Sequence, residues 1–282
     1  MKRFHDVISR LTALYDENEA RALAQYLFEE RFGLSLADLA TDADERLDDE
    51  QSALLEVLVD RLCHAEPIQY VLGKTTFCGC TLNVNPSVLI PRPETSQLVN
   101  MMIDAPECQR QGANILDIGT GSGAIAIALA HALPQAKVSA WDISEAALQI
   151  AAANARLNNV DVCFCIQDAL CAPMDERLWD VIVSNPPYVC ISEKNQMERN
   201  VLDFEPALAL FVNNDDPLLF YRAIGLYATR ALRPGGSLYF EINPQFADPL
   251  EVLLREQDFE EVEISDDYFG KKRFAKCHKK QL

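Results

Sequence analysis

The stretch Val181–Tyr188, which reads VIVSNPPY, constrains the fold of this 282-residue chain more than any other. Its first half is a run of β-branched apolar residues, which is typical of a strand buried on both faces of a parallel sheet. Pro186 and Pro187 end the strand, because each lacks an N–H group and has a fixed φ. A polar corner therefore projects from the carboxyl end of a central strand, where open α/β sheets bind their ligands.

The corner itself suits a specific chemistry. A planar NH2 group, such as a carboxamide or an exocyclic base amine, needs two acceptors to fix its two hydrogens. Asn185 can offer its side-chain oxygen, the turn leaves the carbonyl of Pro186 free, and Tyr188 can offer a flat face for stacking. The alternative is a plain Pro-Pro turn in which Asn185 satisfies a neighbouring backbone group. The apolar strand, the tyrosine and a glycine-rich loop upstream favour the first interpretation.

A glycine-rich loop follows the first strand of an alternating β/α pattern. Strand Asn114–Ile118 is predicted to lead directly into residues 119–123, which precede the apolar helix Ala124–Leu133. Glycines allow positive φ and the close approach of a ligand, and the N–H groups at the helix start would face that ligand. The third glycine comes one position earlier than in the G-x-G-x-x-G dinucleotide pattern. Asp117, just before the loop, could meet an ammonium group of the ligand.

Acidic residues follow the next two predicted strands. Strand Lys137–Trp141 ends at Asp142, and an acid in this place accepts hydrogen bonds from both hydroxyls of a ribose. The glycine loop and this acid together are a far more specific signal than either one alone. Strand Val162–Ile166 is followed by Asp168, which could take an adenine amino group or could simply cap the next turn.

Sequence patterns divide the chain into three parts. Residues 1–74 carry apolar residues at helical spacing and predict a small helical domain, which we expect to help in binding a partner. Residues 75–95 predict a β-hairpin about Gly79 and a proline-rich linker, which is either solvated or a lip over a cofactor pocket. Residues 96–282 predict an α/β sheet domain, in which the long loop after the Pro-Pro corner predicts a substrate-enclosing lid.

Charge and cysteine usage argue against several classes of protein. A net charge of −18 disfavours general nucleic-acid binding, and the basic cluster near the C-terminus is expected to be a solvated strand and tail. The two C-x-C pairs among nine scattered cysteines lack zinc-knuckle spacing, so alternation on a strand explains them better than a metal site. Without a membrane-spanning stretch or a signal peptide, we expect a cytoplasmic protein with reduced cysteines.

A set of linked motifs resembles the release-factor glutamine N5-methyltransferase family. The motifs are E-P-I-x-Y, L-I-P-R-P-E-T, D-I-G-T-G-S-G, the acid at Asp142, S-N-P-P-Y and F-E-P-x-x-A-L. The resemblance covers the chain from Pro67 onward, and the P-R-P-E-T segment before the glycine loop is its most specific part. The chain departs from the family pattern at residues 211–216, at Asn243 and at Ala169.

The resemblance implies a Rossmann-like class I methyltransferase sheet with a small N-terminal helical domain, and S-adenosylmethionine as cofactor. By position it implies cofactor contacts from Gly119, Thr120, Gly121, Ser122, Gly123, Asp142, Asp168, Ala169 and Asn185, to which the ammonium contact adds Asp117. It also implies that the substrate is the glutamine in the Gly-Gly-Gln loop of peptide-chain release factors. This glutamine would be held by Asn185, Pro186, Pro187 and Tyr188.

The expected reaction is direct methyl transfer to an amide nitrogen. This nitrogen is a poor nucleophile whose pKa is too high for a side chain to deprotonate it, so we assign no general base. Asn185 and the Pro186 carbonyl would orient the NH2 group and stabilise the charge that grows on it. One alternative is an N6-adenine or N2-guanine nucleic-acid methyltransferase with the same clamp, and another is a non-catalytic binding module. The acidic net charge counts against the nucleic-acid methyltransferase, and the intact motifs count against the non-catalytic binding module.

Overall fold

The computed structural model describes residues 2–281, which form two compact units. The first unit extends to Lys74 and also includes Glu198–Phe204. The second unit runs from Thr75 to Met197 and continues from Glu205. The long loop after the Pro-Pro corner therefore contributes its middle segment to the helical unit and both of its ends to the sheet unit.

The secondary structure alternates between helices and strands from residue 114 onward. The α-helices of the described chain are Lys2–Leu11 (α1), Glu17–Phe32 (α2), Leu36–Ala40 (α3), Asp49–Cys63 (α4), Ile68–Leu72 (α5), Pro93–Ile103 (α6), Pro106–Gln109 (α7), Ala124–Ala132 (α8), Glu145–Leu157 (α9), Arg199–Phe204 (α10), Ala207–Leu210 (α11), Leu219–Ala231 (α12) and Ala247–Glu256 (α13). The strands are Lys74–Phe77 (β1), Cys80–Asn83 (β2), Asn114–Ile118 (β3), Lys137–Asp142 (β4), Val162–Ile166 (β5), Trp179–Ser184 (β6), Val189–Cys190 (β7), Phe211–Val212 (β8), Leu232–Glu241 (β9), Phe259–Asp266 (β10) and Lys272–Lys279 (β11).

The helical unit has an apolar core of its own. Local chemistry sets the bounds of its longest helix, α2: the Asp16 carboxylate accepts the first free N–H groups, and Gly33 ends the helix at φ 67°. Apolar residues at helical spacing face inward from α1, α2, α4 and α5, and the core includes Phe4, Leu11, Leu27, Phe28, Leu58, Leu62 and Val71. Each fully buried leucine of this core contributes roughly 1.5–3 kcal/mol to stability.

A seven-stranded sheet forms the centre of the second unit. Its strand order is β10-β11-β9-β6-β3-β4-β5. The strands from β9 to β5 pair in parallel, whereas β11 is antiparallel to both β9 and β10. The chain runs outward from β3 through β4 to β5 and then returns to the other side of β3 as β6. The carboxyl ends of β3 and β6 therefore lie at a topological switch point, the usual place for a ligand in such sheets.

Helices cover both faces of this sheet. One face packs against α6 and α8, and the other face packs against α12 and α13. Strand β6 is buried along its whole length because Val181 and Val183 face the first layer and Ile182 faces the second. A strand buried on both sides cannot alternate polar and apolar residues, which explains the unbroken apolar run in the sequence.

The predicted Rossmann-like α/β sheet is confirmed, and the strands expected at Asn114–Ile118, Val162–Ile166 and Trp179–Ser184 have these bounds. From the sequence, Pro234-Gly235-Gly236 also predicts the end of a helix before a fifth strand at residues 237–242, and this prediction is wrong about where the strand begins. Strand β9 already begins at Leu232, and the three residues form an irregularity within it. A Cβ at Gly236 would lie 2.9 Å from two carbonyl oxygens, so a glycine lets the bulged strand approach its neighbour.

Within residues 2–281, no helix is long and apolar enough to cross a membrane. The same residues contain no group of three or more His, Cys, Asp or Glu side chains placed to hold a metal ion. Cys163 and Cys165 alternate along β5 as expected, whereas Cys78 lies in the tight turn between β1 and β2 at φ 47°.

Candidate active site

The candidate site lies where β3 and β6 end side by side. Ile118 and Ser184 are paired in the register of the two strands, and the Ser184 hydroxyl donates to the carbonyl oxygen of Ile118 at 2.6 Å. The glycine loop after β3 and the Asn-Pro-Pro-Tyr corner after β6 therefore leave the sheet from neighbouring points. A cavity of about 380 Å³ opens between them, which is a usual size for a small-molecule site.

The cavity wall comes from the tips of four parallel strands, from two loops and from one helix. The ends of β3, β4, β5 and β6 contribute residues 118, 119, 121, 142–144, 146, 147, 167–170 and 184–187. The proline-rich linker adds residues 87–89, the loop after the corner adds residues 206, 208 and 209, and α12 adds residues 220 and 224. Asp142 and Asp168 are the ionisable side chains of this wall among the described residues. An acidic wall fits a cationic ligand with hydroxyl groups better than a pyrophosphate.

The glycine loop exposes two of its glycines to the cavity. Gly119 and Gly121 have φ values of 77° and 56°, and nothing lies within 4 Å of the place that a Cβ would occupy on either. At Gly123, by contrast, a Cβ would lie 2.7 Å from Ile127 and 3.1 Å from Ala151. The first two glycines thus leave room for a ligand, whereas the third allows α8 to pack closely against α9.

The rest of the loop forms a support behind the wall. Thr120 and Ser122 are buried, and neither they nor Gly123 lines the cavity. The Thr120 hydroxyl donates to Asp117 Oδ2 at 2.6 Å, and Asn154 Nδ2 donates to the Ser122 carbonyl at 2.9 Å. Direct ligand contacts from these three loop residues stay a prediction, because their visible role is to hold the loop in shape.

Three backbone N–H groups of the glycine loop have protein partners. The N–H groups of Gly119 and Thr120 both donate to the carbonyl oxygen of Trp141 at 2.9 Å. The N–H group of Gly121 donates to Asp142. The loop is therefore attached to the end of β4 and is preformed for a ligand. This arrangement differs from a phosphate-binding loop, which keeps its N–H groups free for the anion.

Asp117 lies beneath the loop and is fully buried. One carboxylate oxygen accepts from Thr120, while Oδ1 has no hydrogen-bond partner within the described structure. Burial raises the pKa of Asp117 to about 7, because a carboxylate loses its hydration there. Asp117 does not line the cavity, so its predicted ammonium contact stays a prediction. A buried acid with one unpartnered oxygen is nevertheless a group whose charge a nearby cation would stabilise.

Asp142 is the best-defined polar group of the cavity wall. Its Oδ2 atom accepts from Gly121 N and its Oδ1 atom accepts from Ser144 N, both at 2.8 Å. Each oxygen keeps a lone pair after these bonds, so the side chain is fixed in orientation and can still accept two further hydrogen bonds. Two adjacent hydroxyls of a ribose match this pair of acceptors, as the sequence predicts.

The tip of β5 combines both roles that the sequence left open. Asp168 Oδ1 accepts from Leu170 N at 2.8 Å and thereby caps a short 3₁₀ turn over Ala169–Cys171. Asp168 and Ala169 also line the cavity, so the cap does not remove the acid from the site. Its Oδ2 atom has no protein hydrogen bond in the described chain, which leaves an acceptor for a base amino group.

Two apolar residues of the wall were missed by the sequence analysis. Ile143 and Leu170 line the cavity and are 48% and 42% exposed, which is unusual for large apolar side chains. Each lies one or two positions after a strand-tip acid, Asp142 or Asp168. Their position in the sequence could have predicted this role. A flat base whose polar edge bonds to an acid also needs apolar contacts next to that acid.

The corner after β6 presents a carboxamide to the cavity. Asn185, Pro186 and Pro187 all line the wall. Asn185 Nδ2 donates to the hydroxyl oxygen of Thr95 at 3.3 Å, whereas Asn185 Oδ1 has no protein partner among residues 2–281. This oxygen and the Pro186 carbonyl are the two acceptors that the sequence predicts for a planar NH2 group. The alternative of a purely local turn is not what the structure shows, because Asn185 bonds to a residue ninety positions away.

Tyr188 lies behind the corner and does not line the cavity. Its hydroxyl donates to Glu241 Oε1 at 3.1 Å, and its carbonyl oxygen accepts from Asn243 Nδ2 at 3.1 Å. Burial, with Glu241 beside it, raises the pKa of Tyr188 well above its usual range. The phenol therefore stays protonated and is unsuited to act as a base. The predicted stacking face stays a prediction.

The two loops over the cavity are joined by one carboxylate. Glu205 is 6% exposed, forms an ion pair with Arg92, and accepts from Ile90 N at 3.2 Å. The linker and the F-E-P segment are therefore connected at the cavity edge. Of the two interpretations of the linker, the structure favours a lip over the pocket, since its residues 87–89 belong to the wall.

Comparisons with known proteins identify the two parts of the chain. The family model described as "PrmC N-terminal domain" matches residues 4–73, and the one described as "Methyltransferase small domain" matches residues 94–203. A solved methyltransferase from Pyrococcus furiosus has the same fold, with a TM-score of 0.53 at 19% identity. This similarity covers 72% of the present chain and 90% of the other.

Several curated relatives match nearly the whole chain. A release factor glutamine methyltransferase from Bacteroides thetaiotaomicron is 43% identical over 271 residues, or 95% of this chain and 96% of its own length. The protein of the same name from Flavobacterium psychrophilum is 42% identical over 273 residues, or 96% of each chain. The predicted family is thus confirmed: this chain belongs to the release factor glutamine methyltransferases, which are S-adenosylmethionine-dependent enzymes.

Proposed function

We propose that this protein transfers a methyl group from S-adenosylmethionine to the side-chain amide nitrogen of the glutamine in the Gly-Gly-Gln loop of peptide-chain release factors. The observation that carries the proposal is Asn185, which lines a cavity next to a preformed glycine loop and whose Oδ1 atom has no protein partner among the described residues. The names of the relatives support the release factor as the methyl acceptor. Because release factors act in translation, we place the reaction in the cytoplasm.

The residues of the cofactor half fit S-adenosylmethionine. When bound, this cofactor supplies a methyl group on a positively charged sulfur. Asp142 would accept from the ribose hydroxyls, and Asp168 would accept from the adenine amino group, with Ile143 and Leu170 against the base. Gly119 leaves the backbone open to the cofactor, and an acidic wall suits its net positive charge.

The substrate half would hold and orient the acceptor amide. Asn185 Oδ1 and the Pro186 carbonyl would each accept one N–H of the glutamine side chain, which fixes the plane of the amide. The same acceptors stabilise positive charge as it develops on the nitrogen, because they are fixed dipoles that need no reorientation. No side chain of the wall is placed as a base among the described residues, and none is needed, since the proton can leave after transfer.

The division of labour along the chain belongs to this proposal. Residues 1–74 would help to bind the release factor, residues 75–95 would form the hairpin and the lip, and residues 96–282 would carry out methyl transfer. The helical unit has an apolar core of its own, which is consistent with a separate domain that binds a partner.

A nucleic-acid substrate is less consistent with the surface charge. The basic residues near the C-terminus have intramolecular partners: Lys272 pairs with Asp248, Lys276 with Glu107, and Lys280 with Asp258. Lys279 donates to the carbonyl of Leu232 at 2.7 Å. These cations are largely neutralised within the protein, so they do not supply the free basic surface that a phosphate backbone requires.

The test is methyl transfer from labelled S-adenosylmethionine to three acceptors. The acceptors are a release factor, the same release factor with its loop glutamine replaced by alanine, and a mixture of RNA and DNA. We expect label only in the unmodified release factor, and peptide mass spectrometry should locate one methyl group on the glutamine. Label in nucleic acid would favour the base-amine alternative, and no label in any acceptor would favour the binding module.

A further inference from the structure

A buried carboxylate lies behind the clamp at the end of β9. Glu241 is 1% exposed and accepts two hydroxyl hydrogen bonds, one on each oxygen. Oε2 accepts from the Thr95 hydroxyl at 2.6 Å, and Oε1 accepts from the Tyr188 hydroxyl at 3.1 Å. Neither Glu241 nor Thr95 lines the cavity, and neither has a role in the proposed function so far.

The hydroxyl of Thr95 decides which way the Asn185 carboxamide faces. A threonine hydroxyl has a single proton, and here it is donated to Glu241. Toward Asn185 the same oxygen can only accept, so it must bond to Nδ2 and not to Oδ1. The two ends of a carboxamide have nearly the same shape, and the hydrogen-bond network alone distinguishes them. An ionised Glu241 thus leaves Asn185 Oδ1 for the cavity.

Resting on the proposed function, we propose that Glu241 and Thr95 are positioning residues of methyl transfer. Through Thr95, the Glu241 carboxylate keeps the acceptor end of Asn185 toward the substrate amide. Through its second oxygen it also holds Tyr188, and with it the backbone of the corner. If Glu241 gains a proton, it donates to the Thr95 oxygen, and the Thr95 hydroxyl then turns toward Asn185. The carboxamide would rotate and present NH2 to a substrate that itself presents NH2.

Charged and titratable groups from several elements surround Glu241. Burial raises its pKa most, and Glu94 of α6 acts in the same direction, whereas Arg273 of β11 lowers it. Hydrogen bonds from Thr95 and Tyr188 also favour the ionised form. From α12, the Tyr221 hydroxyl donates to the backbone carbonyl of Glu241 at 3.2 Å. The ionised form of Glu241 accepts from both hydroxyls, one on each carboxylate oxygen.

The chain contains a matched control in α7, where a second buried glutamate contacts β9. Glu107 is also buried and also accepts from a tyrosine and a hydroxyl residue, namely Tyr239 at 2.7 Å and Ser237 at 2.9 Å. These residues do not line the cavity. Glu107→Gln therefore disturbs a similar buried network without touching the clamp, and it reports the effect of lost stability alone.

The experiment compares steady-state methylation of the release factor by four variants and the parent. Thr95→Val removes the hydroxyl at constant shape, and we expect kcat to fall by at least about tenfold, since one hydrogen bond that fixes a buried polar group is lost. Thr95→Ser should restore most of the rate. Glu241→Gln should resemble Thr95→Val, whereas Glu107→Gln should resemble the parent. Calorimetric affinity for S-adenosylmethionine should stay unchanged in both Thr95 variants.

The pH dependence supplies a second measurement that a merely structural role would not change. The kcat of the parent should fall on the acid side as Glu241 becomes protonated, and this acid limb should disappear in Glu241→Gln and in Thr95→Val. If Glu241→Gln does not fold by circular dichroism, the Thr95→Val and Thr95→Ser pair decides the question, because valine and threonine have the same shape.

The two possible failures are distinguishable. If the parent methylates the release factor but Thr95→Val keeps a normal kcat, or loses only as much as Glu107→Gln, the positioning role is overturned and the proposed function stands. If Thr95→Ser is as slow as Thr95→Val, the hydroxyl is not the operative group and the inference is again overturned. If the parent itself leaves the release factor unmethylated, the proposed function fails, and the inference fails with it.

Discussion

Asp117→Asn should change how the stability of the cofactor-free protein depends on pH. Asparagine keeps the shape of the side chain and its acceptor for Thr120, but it has no charge at any pH. In the parent, burial raises the pKa of Asp117 from 3.8 to about 7. In the unfolded chain the same group returns to its ordinary value. The folded state therefore holds a proton that the unfolded state releases between these two pH values.

The sign and size of the effect follow from proton linkage. A raised folded-state pKa means that the contribution of Asp117 to stability is fully present below about pH 4, and it is lost as the pH rises toward about 7. A shift of about three pK units corresponds to at most about 4 kcal/mol. Relative to the parent, Asp117→Asn should therefore become more stable by a few kcal/mol between about pH 4 and about pH 8.

Urea unfolding followed by circular dichroism, without cofactor, measures this difference directly. The free energies of unfolding of the parent and of Asp117→Asn are compared at several pH values across this range. Other groups titrate in both proteins and cancel in the difference. A difference that stays constant with pH would show that Asp117 is ionised in the folded protein and that the burial argument is wrong.

Three further predictions concern the cavity. Gly121→Ala should weaken the binding of S-adenosylmethionine about tenfold, as measured by calorimetry, because a residue with a Cβ is strained at φ 56° and its Cβ enters the site. Normal affinity would contradict the assignment of the cavity as the cofactor site. Asn185→Ala should lower kcat about a hundredfold or more while cofactor affinity is kept, and near-normal turnover would falsify the clamp. Glu205→Gln should raise the KM for cofactor in steady-state assays by loosening the lip from Arg92, and an unchanged KM would separate the lip from binding.

The sequence predicts much of the sheet and of the site because both depend on local patterns. Strand β6 is apolar throughout and then stops at two prolines, so its bounds and its polar tip follow from residue types alone. Glycines at 119 and 121 and the acid at 142 are similarly readable, since positive φ and strand-tip placement leave clear signatures.

Long-range contacts could not be predicted in the same way. The hydroxyl of Thr95 reaches Glu241 across 146 positions of sequence, and nothing in either segment indicates the other. The same holds for Glu205, which joins the lip across more than a hundred positions. The bulge at Gly236 was not predicted, because a Pro-Gly-Gly run in a sequence indicates a break between two elements. In the structure, β6 pairs with β9 both before and after this run. Such features depend on the assembled sheet.

The segment Glu198–Phe204 has a consequence for how the two units can be dissected. The chain passes from one unit to the other after Lys74, again after Met197, and once more after Phe204. The chain therefore connects the two units at three points. Two of these points flank the segment Glu198–Phe204, which starts ten residues after Tyr188. Cutting the polypeptide near residue 74 would separate α10 from the rest of the helical unit. Genetic separation of the two units therefore has to remove or replace that segment as well.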